Sequence, residues 1–232
     1  MWYDKRPQDI CDRLNADYGD EIYRVTGMYA RPMFSAPKMR WLKENYPAVY
    51  EQSHKLAGIQ DYLIFLLTGE WVTDLTFASR TNLLDLNSNC WSERMLEIFG
   101  VDEQKLCRLV EPGSEVGVLK ESWQNRGFDR KTKIYPAGGD QQCAAIGQGL
   151  LASGKIGINN GTASYVAVFS RSRLEDKEKV IHVIKGAALG TWIMEASNMG
   201  TGSVYDWMRK ILIDFEEDTD SIKTMNGGIK KR

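Results

Sequence analysis

Histidine and cysteine are scarce in this chain of 232 residues. The two histidines, His54 and His182, are too few for a metal site built from several imidazoles. The four cysteines are widely spaced, and no Cys-x-x-Cys pair is present. This spacing indicates reduced intracellular thiols, and it excludes a disulfide framework and a cysteine zinc site.

Long hydrophobic runs and an excess of charge of one sign are also missing. The longest purely apolar run, Tyr62–Leu67, is far too short to cross a membrane. No basic-then-apolar signal segment opens the chain. The net charge of −1 argues against an electrostatic nucleic-acid binder. We therefore expect a cytoplasmic protein that binds neither nucleic acid nor a membrane.

The composition and the hydrophobic periodicity predict an α/β protein with two segments. Hydrophobic residues make up 43% and charged residues 26%, which is typical of a packed globule. Residues 1–150 are rich in helix patterns, among them 35–45 and 59–68, with Gly69 ending the second. We expect that second helix to bury Tyr62, Leu63, Leu66 and Leu67. Ser92 predicts the start of another helix, and Gly100 its end.

Strand patterns appear in the second segment, residues 151–232. Apolar residues alternate on both sides of Asn159–Thr162, which predicts a β-hairpin over 155–170. A further strand is predicted at Thr191–Ala196. An amphipathic helix should follow Gly200, with one apolar stripe made of Val204, Trp207, Met208, Ile211 and Leu212.

The most informative stretch is Tyr135–Leu150, which reads YPAGGDQQCAAIGQGL. Gly138 and Gly139 allow a sharp turn and a close approach to the backbone. Asp140 follows them at the predicted start of a helix, where unpaired amides and the helix dipole favour a carboxylate. That placement suits a general base that removes a proton from a hydroxyl. The alternative is that Asp140 only caps the helix.

Two further groups of residues could bind ligands. The turns Asn160–Thr162 and Gly200–Ser203 offer backbone amides to phosphate, although glycines at turns are also the default. Trp2, Asp4 and Arg6 alternate as in a strand, which would place an aromatic ring, a carboxylate and a guanidinium on one face. Such a face suits a polyhydroxylated ligand, and the alternative is a frayed terminus with an ion pair.

Seven segments together resemble one family, the FGGY carbohydrate kinases, which include xylulokinases and glycerol kinases. The resemblance covers almost the whole chain up to about residue 212. In chain order the segments are WYDKR (2–6), FSAPKMRWL (34–42), IQDYLIFLLTGEWVTD (59–74), ASRTNLLDL (78–86), GGDQQCAAIGQG (138–149), NGTASY (160–165) and GTGSVYDW (200–207).

The resemblance implies a pair of actin-like (ribonuclease-H-like) α/β domains, of which this chain holds an incomplete part. Residues 1–150 would be the C-terminal part of the N-terminal, sugar-binding domain. Residues 151–232 would begin the C-terminal, nucleotide-binding domain. The implied activity is phosphorylation of a sugar or polyol hydroxyl by ATP with Mg²⁺, and no protein residue is assigned as a metal ligand.

The resemblance also implies roles for individual residues. Asp140 matches the base that deprotonates the attacking hydroxyl. Gly161 and Thr162 match a hairpin near the transferred phosphate, and Gly202 matches a glycine near the nucleotide.

The implied sugar contacts are Trp2 and Asp4, with Arg6 adjoining them, together with Met33 and Tyr165. Met33 is not aromatic, which speaks against glycerol and for a sugar. The GDQQ segment resembles glycerol kinases, whereas WYDKR and FSAPK resemble xylulokinases. The substrate therefore stays open between a ketose and a related polyol.

Two family segments have no counterpart here: an Asp-x-Gly-Thr type phosphate loop and a sugar-contacting segment that precedes the WxDxR stretch. We therefore expect a central fragment with little activity alone, because phosphoryl transfer depends on positioning and charge stabilisation. Exposed strand edges should favour a homo-oligomer or a complementing chain. The alternative function is a non-catalytic remnant that binds a carbohydrate or a partner.

Overall fold

The computed structural model describes residues 3–124, 126–129, 131–198 and 200–215. Two compact units are present. Unit 1 comprises residues 1–157 and 167–195, and unit 2 comprises residues 158–166 and 196–232. Among the described residues, no helix has the length and apolar character needed to cross a membrane.

Helices dominate the first part of unit 1, as the sequence predicts. The helices are α1 (Gln8–Thr26), α2 (Ser35–Asn45), α3 (Pro47–Gln52), α4 (Ile59–Thr68), the short α5 (Leu75–Ala78), α6 (Glu93–Phe99), the short α7 (Glu121–Gln124) and α8 (Asp140–Gly147). The predicted end of α2 at Asn45 and both predicted bounds of α4 are confirmed. Ser35, which the sequence suggests as the N-cap of α2, is instead its first residue and follows the N-cap Phe34. Ser92 caps α6 by accepting from the Met95 amide, and Gly100 ends the helix in the left-handed conformation.

Short strands connect these helices. They are β1 (Val72–Asp74), β2 (Leu84–Asp85), β3 (Cys90–Trp91), β4 (Arg108–Val110), β5 (Gly117–Val118) and β6 (Lys133–Ile134). β1 pairs with β4 in parallel, whereas β2 with β3 and β5 with β6 form antiparallel pairs. β1 leads directly into α5, so the end of this strand fixes where the side chain of Asp74 lies.

A four-stranded sheet follows, with the order β7–β8–β10–β9. Its strands are β7 (Ile156–Asn160), β8 (Ser164–Ser170), β9 (His182–Lys185) and β10 (Trp192–Asn198). The predicted hairpin over 155–170 is confirmed as β7 and β8. The division between the units falls inside β7, β8 and β10, and α9 (Thr201–Phe215) belongs to unit 2.

The main core of unit 1 lies between α1, α2 and α6. Ile10 and Ile22 of α1 and Met95 and Phe99 of α6 are among its buried side chains. A second cluster joins Ala145 of α8 to Phe169, Ile184 and Ile193 of the sheet strands in unit 1. The second cluster holds α8 against the sheet, and it thereby fixes the direction of the helix that begins at Asp140.

The predicted burial of α4 is wrong in part. Tyr62 is 50% exposed and Leu63 is 52% exposed, while Ile64 and Asp61 are the buried residues of this helix. The reason is tertiary: Trp71 stacks on Phe65, with ring centroids 4.0 Å apart, and this contact turns another face of the helix inward. The apolar stripe of α9 is similarly open, since Val204 is 52% and Trp207 is 60% exposed.

Two glycines that end helices in unit 1 differ in the space around them, which predicts different losses in the free energy of unfolding when each is replaced by alanine. Gly27 ends α1 with φ 74° and Gly100 ends α6 with φ 63°. A Cβ on Gly27 would lie 2.1 Å from the carbonyl oxygen of Val183, whereas a Cβ on Gly100 would meet nothing within 4 Å. Gly100→Ala should therefore cost only the left-handed backbone penalty of about 1–2 kcal/mol.

Gly27→Ala should lower the free energy of unfolding by clearly more, because the backbone of β9 must also shift. Urea denaturation of both variants, compared with the unsubstituted chain, measures the difference. Equal destabilisation by the two substitutions would contradict the close approach of Gly27 to Val183.

Candidate functional site

Asp140 stands at the first position of α8, and its side chain is exposed. The N-cap is Gly139, and no side-chain capping bond is present. The Asp140 Oδ1 atom accepts a hydrogen bond of 2.8 Å from the Gln141 amide, the following residue. Asp140 is therefore not the N-cap residue, although its carboxylate binds one amide of the first turn, and the exposed side chain lies at the positive end of a helix.

The turn that leads into α8 is held by residues of an earlier segment. Gly138 has φ 108°, a conformation that favours glycine. The buried Gly139 amide donates to the Thr76 Oγ1 atom over 2.8 Å. The Thr76 hydroxyl in turn donates to Asp74, which is fully buried and also accepts from the Gln60 side chain. Sequence reasoning missed this chain of hydrogen bonds.

Asp4 and Arg6 form a close ion pair rather than two members of a strand. The Arg6 Nη2 and Nε atoms donate to the Asp4 carboxylate over 2.7 Å and 3.0 Å, and the Arg6 amide donates to the same group. The hydrogen bonds from the Arg6 guanidinium hold the pKa of the Asp4 carboxyl well below its usual range. The expectation of a strand is wrong for the described residues 3–7, which form turn and irregular backbone, and the ion pair of the alternative interpretation is present.

Three further residues adjoin this pair. The Arg6 guanidinium lies over the Trp41 ring, 4.3 Å from its centroid. Lys38 donates to the carbonyl oxygen of Met33 over 2.9 Å, and burial lowers the pKa of its ammonium group. Lys38 and Trp41 both lie in the FSAPKMRWL segment, so this motif could have indicated from the sequence that they belong to the same site as Asp4 and Arg6.

Met33 is 40% exposed. Trp2 lies outside the described residues.

Unit 2 brings together the tip of the β7–β8 hairpin and the start of α9. The Gly202 and Ser203 amides donate to the Thr162 carbonyl oxygen over 3.1 Å and 3.3 Å. These two amides are therefore not free for phosphate, which corrects the expectation drawn from the turns. A Cβ on Gly202 would lie 2.2 Å from the Gly161 carbonyl oxygen, so only glycine fits there.

A cavity of about 460 Å³ lies beside this contact within unit 2. Lys210, Asp206 and Trp207 of α9 line it together with Gly161, Thr162 and Gly202. Lys210 supplies a positive charge that sequence reasoning missed, one helical turn beyond Asp206. Tyr165 belongs to β8 in the same unit and is half-buried.

The predicted site residues thus form separate groups. Asp4 and Arg6 lie together, and Gly161, Thr162 and Gly202 lie together. Asp140 shares no hydrogen bond or ion pair with either group among the described residues. No cluster of three or more His, Cys, Asp or Glu side chains in this part of the chain could hold a metal ion.

A comparison with known protein families shows which family this chain belongs to. The model of the FGGY family of carbohydrate kinases, N-terminal domain, matches residues 1–147. The chain belongs to the FGGY family. The glycerol kinase of Thermococcus gammatolerans is 31% identical to this FGGY chain over 215 residues, which are 90% of the chain and 43% of that relative.

Solved structures agree with the family and give the fold. The ligand-bound xylulose kinase of Lactobacillus acidophilus superimposes with a TM-score of 0.87 at 27% identity, over 99% of this FGGY chain and 47% of that one. The Plasmodium falciparum glycerol kinase with ADP gives a TM-score of 0.83 at 26% identity, over 95% of this chain and 45% of that one. The expected actin-like α/β fold is confirmed, and the chain spans less than half the length of these relatives.

The Asp4–Arg6 pair predicts a measurable titration. In Arg6→Gln, the pKa of the Asp4 carboxyl should rise toward its ordinary value of about 4, because the donated hydrogen bonds and the positive charge are lost. Carboxyl-carbon NMR shifts followed over pH measure this change. Arg108→Gln removes an exposed arginine of β4 and should leave the titration of Asp4 unchanged. An Asp4 carboxyl that titrates alike in Arg6→Gln and the unsubstituted chain would disprove the pairing.

Proposed function

We propose that this chain contributes the acceptor side, and the start of the nucleotide side, of an ATP-dependent carbohydrate kinase. The acceptor is a ketose or a related polyol. The observation that carries the proposal is the exposed Asp140 carboxylate, which begins α8 on a pinned glycine turn within the segment that matches the family model.

Asp140 serves as the general base in this proposal. Its Oδ2 atom has no hydrogen-bond partner among the described residues, so it is available to a hydroxyl of the acceptor. The hydroxyl oxygen forms a bond to the γ-phosphorus of ATP while the bond to the β-phosphate oxygen breaks. The hydroxyl proton passes to Asp140, and ADP leaves. A fixed backbone and an exposed carboxylate are what this proton transfer requires.

Asp4 and Arg6 bind the acceptor hydroxyls in this scheme, and Trp2 and Met33 are proposed as further acceptor contacts. The ion pair supports that role, because a carboxylate and a guanidinium held in one geometry can accept from and donate to adjacent hydroxyls. The Trp41 ring limits the movement of the Arg6 guanidinium. Tyr165 is proposed as a further substrate contact.

The phosphates of ATP are assigned to the cavity of unit 2, near Gly161, Thr162 and Gly202. Lys210 supports this assignment, because an ammonium group at the cavity wall attracts anionic phosphate. Mg²⁺ would neutralise phosphate charge when it is bound. The described residues offer no cluster that would hold it alone, so the nucleotide is proposed to bring it.

The domain division at residue 150 is also a proposal. Residues 1–150 would form the C-terminal part of the sugar-binding domain, and residues 151–232 the beginning of the nucleotide-binding domain. The family match at residues 1–147 supports the first assignment. We also propose that the chain turns over slowly on its own, and that it acts in the cytoplasm. Robust turnover by the purified chain would refute that inference.

The test is release of ADP from ATP and Mg²⁺ with a panel of acceptors that includes D-xylulose, L-ribulose and glycerol. Asp140→Asn should lower the acceptor-dependent rate by about 10²–10⁴-fold, because the amide cannot take the proton. Asp129→Asn is the matched control: this exposed aspartate also accepts a hydrogen bond from a nearby backbone amide. An acceptor-dependent rate that survives Asp140→Asn would contradict the role of Asp140.

A non-catalytic remnant that binds a carbohydrate or a partner is the second candidate. The observation that favours it is that Asp140 shares no hydrogen bond or ion pair with Asp4 or Arg6 among the described residues. Binding of an acceptor without any release of ADP, and with equal affinity in Asp140→Asn, would support this candidate over the kinase.

A further inference from the structure

The start of α8 needs a support that its own sequence does not supply. Gly138 and Gly139 precede Asp140, and glycines leave the backbone more conformational freedom than any other residues. The Asp140 side chain is exposed, and within the described part of the chain it bonds only to the neighbouring Gln141 amide. The direction of this carboxylate therefore depends on what holds the two glycines.

One hydrogen bond from a distant segment holds them. The Gly139 amide donates to the Thr76 Oγ1 atom over 2.8 Å, and both residues are buried. Thr76 lies in α5, which is 63 residues earlier in the chain. A buried amide that lost this acceptor would be unsatisfied, which disfavours the observed turn strongly.

Asp74 sets the direction of that bond. The Thr76 hydroxyl has one proton, and it donates this proton to the Asp74 Oδ1 atom. The Gly139 amide can only donate, so the hydroxyl oxygen accepts from it and the hydroxyl proton stays in the bond to Asp74. Its lone pairs consequently face the Gly139 amide. Asp74 is itself fixed by the Thr76 amide over 2.8 Å and by the side-chain amide of Gln60 from α4.

Packing reinforces the same arrangement. A Cβ on Gly138 would lie 3.1 Å from the Ala187 Cβ atom and 3.3 Å from the Thr76 Cγ2 and Oγ1 atoms. A Cβ on Gly139 would lie 2.3 Å from the Oε1 atom of the buried Gln142. The turn therefore packs closely against Thr76, whose methyl and hydroxyl groups both face it.

We propose that Thr76, oriented by the buried Asp74, is a positioning residue that fixes the backbone from which Asp140 acts. Thr76 touches no reacting atom in this proposal. It acts through the Gly139 amide on the first turn of α8. The proposal rests on the proposed function for the part that concerns proton transfer, but the hydrogen-bond chain itself can be tested without turnover.

The first test follows the backbone of the isotope-labelled chain by NMR. Thr76→Val keeps the shape and removes the hydroxyl, so exchange of the Gly139 amide should accelerate at least about tenfold. The order parameters of Gly139 and Asp140 should fall from about 0.85 to below about 0.7. Thr76→Ser keeps the hydroxyl and should stay within about threefold of the unsubstituted chain.

A matched control separates local support from general loss of stability. Thr26 is also buried, and its hydroxyl donates to the Ile22 carbonyl oxygen in α1. Thr26→Val should leave the ratio of Gly139 exchange to exchange in the core of unit 1 unchanged, whereas Thr76→Val should raise it. An unchanged ratio in Thr76→Val, with unchanged order parameters, would overturn the proposal.

The second test measures acceptor-dependent release of ADP. Thr76→Val should lower kcat at least about tenfold and change the KM for the acceptor by less than about threefold, and Thr76→Ser should restore kcat. If the single variant Asp140→Asn loses transfer as predicted but Thr76→Val keeps full kcat, the positioning role is wrong. If Asp140→Asn transfers normally, the proposed base is wrong, and accelerated exchange at Gly139 would still support the hydrogen-bond chain.

Discussion

A single buried carboxylate, Asp74, joins the parts of unit 1 that meet at the start of α8. It ends β1, caps α5 through the amides of Thr76 and Phe77, and accepts from Gln60 of α4. Through the Thr76 hydroxyl it reaches Gly139. A buried polar group is costly unless it is hydrogen-bonded, and here amide and hydroxyl donors satisfy both oxygens of Asp74. Removal of one donor would disturb several segments together, because they share this acceptor.

The same constraint explains why an exposed aspartate can have a defined direction. Asp140 is free on its solvent side, but its backbone follows a turn whose amide is bound and whose glycines are enclosed by Thr76, Ala187 and Gln142. A side chain that must meet a ligand has to stay accessible, so its rigidity has to come from the main chain. The Asp4–Arg6 pair achieves order differently, since a half-buried carboxylate and an exposed guanidinium hold each other and the Trp41 ring supports the guanidinium.

Local features could be predicted from the sequence, and distant contacts could not. The ends of α4 and α6 follow from Gly69, Ser92 and Gly100, because caps depend on the residues at the helix end itself. The buried face of α4 could not be predicted, since it depends on the stacking of Trp71 against Phe65.

The candidate site shows the same contrast. Asp140 is identifiable from its two glycines and its helix, and the family resemblance adds its proposed role. Thr76 is not, because it lies 63 residues from Gly139, and no sequence spacing relates them. At the tip of the β7–β8 hairpin, the Thr162 carbonyl oxygen accepts from two amides that the sequence alone would leave free.

The proposed function requires that Asp140 and the Asp4–Arg6 pair belong to one site for a carbohydrate acceptor. The most direct measurement is an NMR titration of the isotope-labelled chain with D-xylulose, L-ribulose and glycerol. The account predicts that one ketose or polyol shifts the amide signals of Gly139–Gln141 and of Asp4–Arg6 together, with one dissociation constant. Shifts confined to one of these segments, or found only elsewhere in the chain, would contradict it.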